Sequence, residues 1–76
     1  MKIVVYGSGC KNCKALHENT LKAVEATGTE ATVDYVTDLK VIVSKGFITM
    51  PVLEIDGKVV SKGRVPSENE IAEFLK

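Results

Sequence analysis

The chain holds two cysteines, standing three residues apart in Gly9-Cys10-Lys11-Asn12-Cys13. They follow a short apolar run, Ile3-Val4-Val5-Tyr6, and precede a helical pattern. A Cys-x-x-Cys pair at a strand-to-helix junction puts one sulfur at the open end of a helix. The unpaired N–H groups and the positive end of the macrodipole there favour a thiolate over a thiol. A thiolate with a second thiol one turn away can exchange two electrons through thiol–disulfide chemistry. Cys10, at the helix start, is the expected nucleophile, the more exposed sulfur and the lower in pKa, with Lys11 as a tuning charge. Cys13 faces inward and resolves the mixed disulfide by attacking Cys10. The same two thiolates also suit a soft ion such as Cu(I), so a metal-carrying role stays open at this point. A structural zinc site is poorer, because Zn²⁺ takes four ligands and the sequence offers Cys10, Cys13 and His17. His17 reads as a packing residue, Lys14 as helix solvation, and Tyr6 as a core residue with a wet hydroxyl beside the cysteine loop.

The elements that must position this pair follow from periodicity. Ile3 to Tyr6 is apolar without alternation, which suits a central strand buried on both faces. Gly7-Ser8-Gly9 turns the chain into a helix running from Lys11 to about Thr27. Leu16, Thr20, Ala23, Val24 and Thr27 recur at helical spacing, and Gly28 stops the helix. Thr32 to Val36 reads as a second strand with Val33 and Tyr35 on one face. Asp38 caps a short helix with Leu39, Ile42 and Val43 as its apolar stripe, ended by Gly46. Val52 to Ile55 and Lys58 to Ser61 flank Asp56-Gly57, the strongest short hairpin signal a sequence can carry. After a loop over Lys62 to Pro66, Ser67-Glu68-Asn69-Glu70 is a capping box opening a last helix, with Ile71, Phe74 and Leu75 inward. The order is β-α-β-α-β-β-α in one domain over residues 1–76. A parallel, right-handed first β-α-β unit plus an antiparallel hairpin gives an α/β fold, with a mixed four-stranded sheet and three helices for its two faces.

Composition bounds the function. Ten basic and ten acidic residues cancel in 76, so no net field would hold a nucleic acid or an anionic membrane. No apolar stretch reaches the length of a membrane span, and the chain opens on a strand pattern without a signal segment. A cytoplasmic protein is the expectation. In a reducing cytosol a close cysteine pair is redox-active or metal-binding rather than a structural staple. The surface pattern shows no surplus apolar stripe, which favours a monomer.

Three features spanning nearly the whole chain resemble the small archaeal and bacterial thioredoxin/glutaredoxin-like redox proteins of the thioredoxin fold. They are Cys10-Lys11-Asn12-Cys13 after the first strand, Thr49-Met50-Pro51 before the hairpin, and Gly63 before the last helix. The resemblance implies a thiol–disulfide oxidoreductase with no bound cofactor beyond a redox-active Cys10–Cys13 disulfide, and no metal. It implies a cis Pro51 against the sulfurs and a Met50 backbone that pairs with a substrate peptide. Gly63 lets the chain pass near the site, and Lys11 and Asn12 tune the potential and face the substrate. Its partners would be disulfide-containing proteins and a reductase acting as electron donor. The chain departs from many thioredoxins at Gly9, where an aromatic residue often precedes the first cysteine, and at Lys-Asn, where Gly-Pro is common. Its first strand also lacks the buried carboxylate that many of them keep beneath the second sulfur, and no dedicated glutathione-binding set is visible. Heavy-metal-associated domains share a Cys-x-x-Cys after a first strand, but they end on a strand. They also usually carry Met two residues before the first Cys, where this chain has Ser8.

Overall fold

The computed structural model describes residues 1–75. Its elements are β1 (Lys2–Tyr6), α1 (Lys11–Thr27), β2 (Thr32–Val36), α2 (Leu39–Ser44), β3 (Val52–Ile55), β4 (Lys58–Lys62) and α3 (Glu68–Phe74). The sheet has four strands in the order β2-β1-β3-β4. β1 pairs parallel with β2 and antiparallel with β3, so the most apolar strand is central and its residues from Ile3 to Tyr6 are at most 5% exposed. Such a strand can shed water on both faces because each face is covered.

Alternation along β1 divides the interior. Ile3 and Val5 meet Leu53 and Ile55 of β3, Leu16 and Ala23 of α1, and Ile71 and Leu75 from the α3 end in one cluster. Val4 and Tyr6 meet Val52 and Ile42 of α2 in a smaller second cluster. Val33 and Tyr35 both lean on the first cluster, sharing a face as their alternation requires.

Local signals fix the element ends. Gly28 takes φ 64° and its N–H donates to the Glu25 carbonyl, closing α1. Asp56 (φ 50°) and Gly57 (φ 84°) form the hairpin with both central residues left-handed. Lys2 N–H donates to Asp56 Oδ1 at 2.8 Å, and Asp56 N–H donates back to the Lys2 carbonyl at 2.7 Å. β4 carries a bulge: Ser61 faces Leu53 and Val59 faces Glu54, leaving Val60 as the extra residue on this edge strand.

Three expectations are corrected. The apolar stripe of α2 does not form, because Ile42 is buried while Leu39 and Val43 are 53% and 60% exposed. A helix of six residues over a four-residue cluster has room for a single anchor there. With Ile48 also 93% exposed, the surface does carry surplus apolar side chains. Thr27 is exposed, its hydroxyl donating back to the Ala23 carbonyl at 2.8 Å. The capping box carries a further partner: Ser67 Oγ accepts from Glu70 N–H at 3.2 Å, and the Glu70 carboxylate accepts both from the Ser67 backbone and from Arg64, with Nη2 to Oε2 at 2.7 Å.

Candidate active site

Cys10 is the N-cap of α1, extended at φ −68° and ψ 165°. Its Sγ accepts a hydrogen bond from Cys13 N–H at 3.2 Å, and its carbonyl accepts one from Lys14 N–H at 3.0 Å. One of the orphan amides of the helix start is thus spent on the sulfur. Cys10 and Cys13 form a disulfide across this first turn. The pair is asymmetric: Cys10 is exposed, whereas Cys13 is 0% exposed. Lys11 and Asn12, between them, are both exposed.

Strand register brings the second half of the site to the same place. Val52 pairs with Tyr6, so Pro51 lies just before the pairing and Gly7 just after it. Gly7 is the backbone on which Cys13 packs. One end of the sheet therefore carries both the disulfide and the Met50–Pro51 bond, which is cis. Pro51 is fully buried and Met50 is half-buried against the second cluster. Gly63 joins them: its N–H donates to the Pro51 carbonyl at 2.9 Å. Gly63 has φ +76°, a left-handed conformation that calls for glycine, and the Thr49 methyl group lies against the same spot.

The remaining candidates fall elsewhere. His17 stacks on Tyr35, with ring centroids 4.6 Å apart, in a packing role. Lys14 is exposed. Tyr6 is 3% exposed, and its hydroxyl donates to Glu54 Oε1 at 3.3 Å. Its ring meets Phe47 at 5.0 Å and the Lys45 ammonium at 5.5 Å. Among the described residues, no group of three or more His, Cys, Asp or Glu is placed to hold a metal ion. None of the described helices is long and apolar enough to cross a membrane.

Two residues were not singled out by sequence reasoning. In the sequence Gly7 is one of three residues of a sharp turn into the helix, but its lack of a side chain is what admits Cys13. Ile48 stands two residues before Met50 as the most exposed of the large apolar side chains. The only sequence signal for it was an isoleucine between Phe47 and Thr49 in a segment with no strand partner.

A disulfide across the first turn of a helix, with its inner sulfur buried and its outer sulfur exposed, is the arrangement of a thiol–disulfide oxidoreductase. The comparisons with known proteins agree. The thioredoxin domain family matches residues 1–76. The chain is 37% identical over 75 residues to a thioredoxin of Methanothermobacter thermautotrophicus (strain Delta H), covering 99% of this chain and 97% of that one. It is 40% identical over 74 residues to a thioredoxin of Methanocaldococcus jannaschii, covering 97% of this chain and 85% of that one. The chain belongs to the thioredoxin domain family.

Proposed function

We propose that the 76 residues work as one cytoplasmic domain that exchanges electrons with protein disulfides, Cys10 attacking and Cys13 resolving. The observation that carries the division of labour is the exposure of Cys10 against the complete burial of Cys13. In the disulfide the Cys13 N–H points at Cys10 Sγ, and once the bond is reduced this donor and the helix dipole favour the thiolate there. The Cys10 thiolate attacks one sulfur of a substrate disulfide; a new S–S bond forms, and the other substrate sulfur leaves as a thiolate that takes a proton. Cys13 then gives up its proton and attacks Cys10 Sγ. The intramolecular disulfide forms and the second substrate thiol is released, two electrons having passed to the substrate.

Lys11 and Asn12 flank the attacking sulfur on its wet side and tune its potential. The Met50 backbone offers an edge for an extended substrate peptide, ahead of the buried Pro51, and the Gly63 backbone supports that edge from behind. Exposed Ile48 adds an apolar contact on the same segment. With no net charge and a shallow site, protein disulfides fit better than nucleic acid, membrane surfaces or deeply buried small molecules. A separate reductase returns the domain to the dithiol.

The test is a pair of serine variants assayed with an oxidised protein substrate and a dithiol donor. Cys10→Ser loses exchange. Cys13→Ser accumulates a covalent adduct through Cys10, visible by mass and released by reductant. A Cys13→Ser protein that turned over normally would sink the role split. A parent protein with no reversible midpoint, but with both thiols protected by one equivalent of Cu(I), would replace the exchange reading with metal carriage.

A further inference from the structure

Gly7 is buried and lies outside the left-handed region, so its backbone conformation does not call for glycine. Its space does. A Cβ built on Gly7 would lie 2.6 Å from Cys13 Cβ and 3.6 Å from Cys13 Cα, with Cys13 Sγ also in collision. Neither side can easily withdraw. Gly7 N–H donates to the Val36 carbonyl at 3.0 Å, which extends the β1–β2 pairing by one residue. Cys13 is held by its own N–H bond to Cys10 and by α1, whose next inward residue, Leu16, is 0% exposed in the main core. A strand end and a helix therefore meet at a point where only a hydrogen atom fits.

We propose that Gly7 is a positioning residue for the resolving cysteine, and that the clearance it leaves helps set the reduction potential of the Cys10–Cys13 pair. This rests on the reading of that pair as the redox centre. In the disulfide, Cys13 Sγ is fixed by its bond to Cys10 and cannot rotate away from residue 7. Reduction by two electrons and two protons breaks that bond and leaves two thiols, and Cys13 Sγ regains its rotamers. A methyl group at position 7 presses on Cys13 in both states, but the oxidised state has fewer ways to relieve it. The substitution therefore favours the dithiol.

The experiment equilibrates the full chain and its Gly7→Ala variant with dithiothreitol and its cyclic disulfide, then quantifies thiols by alkylation. The donor dithiol loses the two electrons that the protein disulfide gains. Gly7→Ala is expected to move the equilibrium about tenfold toward the reduced protein, a midpoint roughly 30 mV more positive. Ile71→Val, a core change away from the sulfurs, lowers Tm and leaves the midpoint where it was. A Gly7→Ala midpoint that is unchanged, or more negative, overturns the proposal. A parent protein without a reversible midpoint instead overturns the redox reading beneath it. If Gly7→Ala does not fold, a second pair decides. Gly7→Ala should fold in a Cys13→Gly background, which removes both colliding atoms, and a failure to fold there too would overturn the proposal by showing that Cys13 is not what residue 7 meets.

Discussion

Ile3 and Val5 point from β1 into a core closed by two helices, α1 and α3, while Val4 and Tyr6 point from the same strand into a four-residue cluster under the short α2. The first face is thick and aliphatic, and its helices bury Leu16, Thr20, Ala23 and Ile71. The second is thin, seals itself with the Tyr6 and Phe47 rings, and leaves Leu39 and Val43 in water. The difference teaches where this small chain keeps its stability. The thick face holds the folded state and fixes α1, and through α1 the buried sulfur. The thin face is edged by Phe47 and Met50, which pack against it only partly buried, and by the exposed Ile48 between them in the chain.

That division can be broken by mutation. Leu16→Ala, on the thick face one turn beyond Cys13, is expected to cost about 2–5 kcal/mol by denaturant unfolding. It should also loosen Cys13 enough for alkylation in the reduced protein. Ile42→Ala, equally buried but on a short helix with three exposed apolar neighbours, is expected near the lower end of that range, about 2 kcal/mol, because α2 can settle into the gap. An Ile42→Ala loss equal to or larger than that of Leu16→Ala would remove the distinction between the faces. Ser67→Ala, which deletes the acceptor for Glu70 N–H at the start of α3, should cost about 1 kcal/mol and show as a Tm drop of a few degrees.

The smallest effect concerns Arg64 and Glu70. Hydrogen bonding to the Arg64 guanidinium holds the Glu70 carboxyl below its usual value, and the same bond raises Arg64. A carboxyl depressed in the folded state contributes stability above its unfolded pKa and loses it as pH falls through the folded value. Both groups are exposed, so the contribution is slight. Arg64→Gln should therefore unfold at a marginally lower temperature than the parent at neutral pH. The two Tm curves should merge on acidification through the carboxylate range and approach each other in high salt. A gap that widened in acid would contradict the pairing.

Much of this architecture was legible because its signals are local. Asp56-Gly57 specifies its own turn, Ser67 and Asp38 cap the helices they precede, and the unalternating Ile3-Val4-Val5-Tyr6 can only be a strand covered twice. The cysteine spacing carried its chemistry in the same way. What stayed hidden depends on which distant surface arrives. Gly7 looks like any turn glycine until α1 is laid across the end of β1. Leu39 and Val43 have the spacing of a buried stripe, but no second helix comes to cover them. Glu70 has the residue type and offset to complete its box, and what the offset did not announce is Arg64, six residues back, as a second, charged partner for the same carboxylate. The cis geometry at Pro51 entered only through family resemblance, since neither Met50 nor Pro51 dictates it alone.

The hydrogen bond from Cys13 N–H to Cys10 Sγ makes one backbone amide a spectator of every turnover. Its proton faces a disulfide sulfur in the oxidised protein, and reduction changes the bonding of that same sulfur. The ¹⁵N and ¹H resonances of Cys13 should thus report the state of Cys10 directly in a nuclear magnetic resonance titration, following the electron count without dye, label or added chromophore.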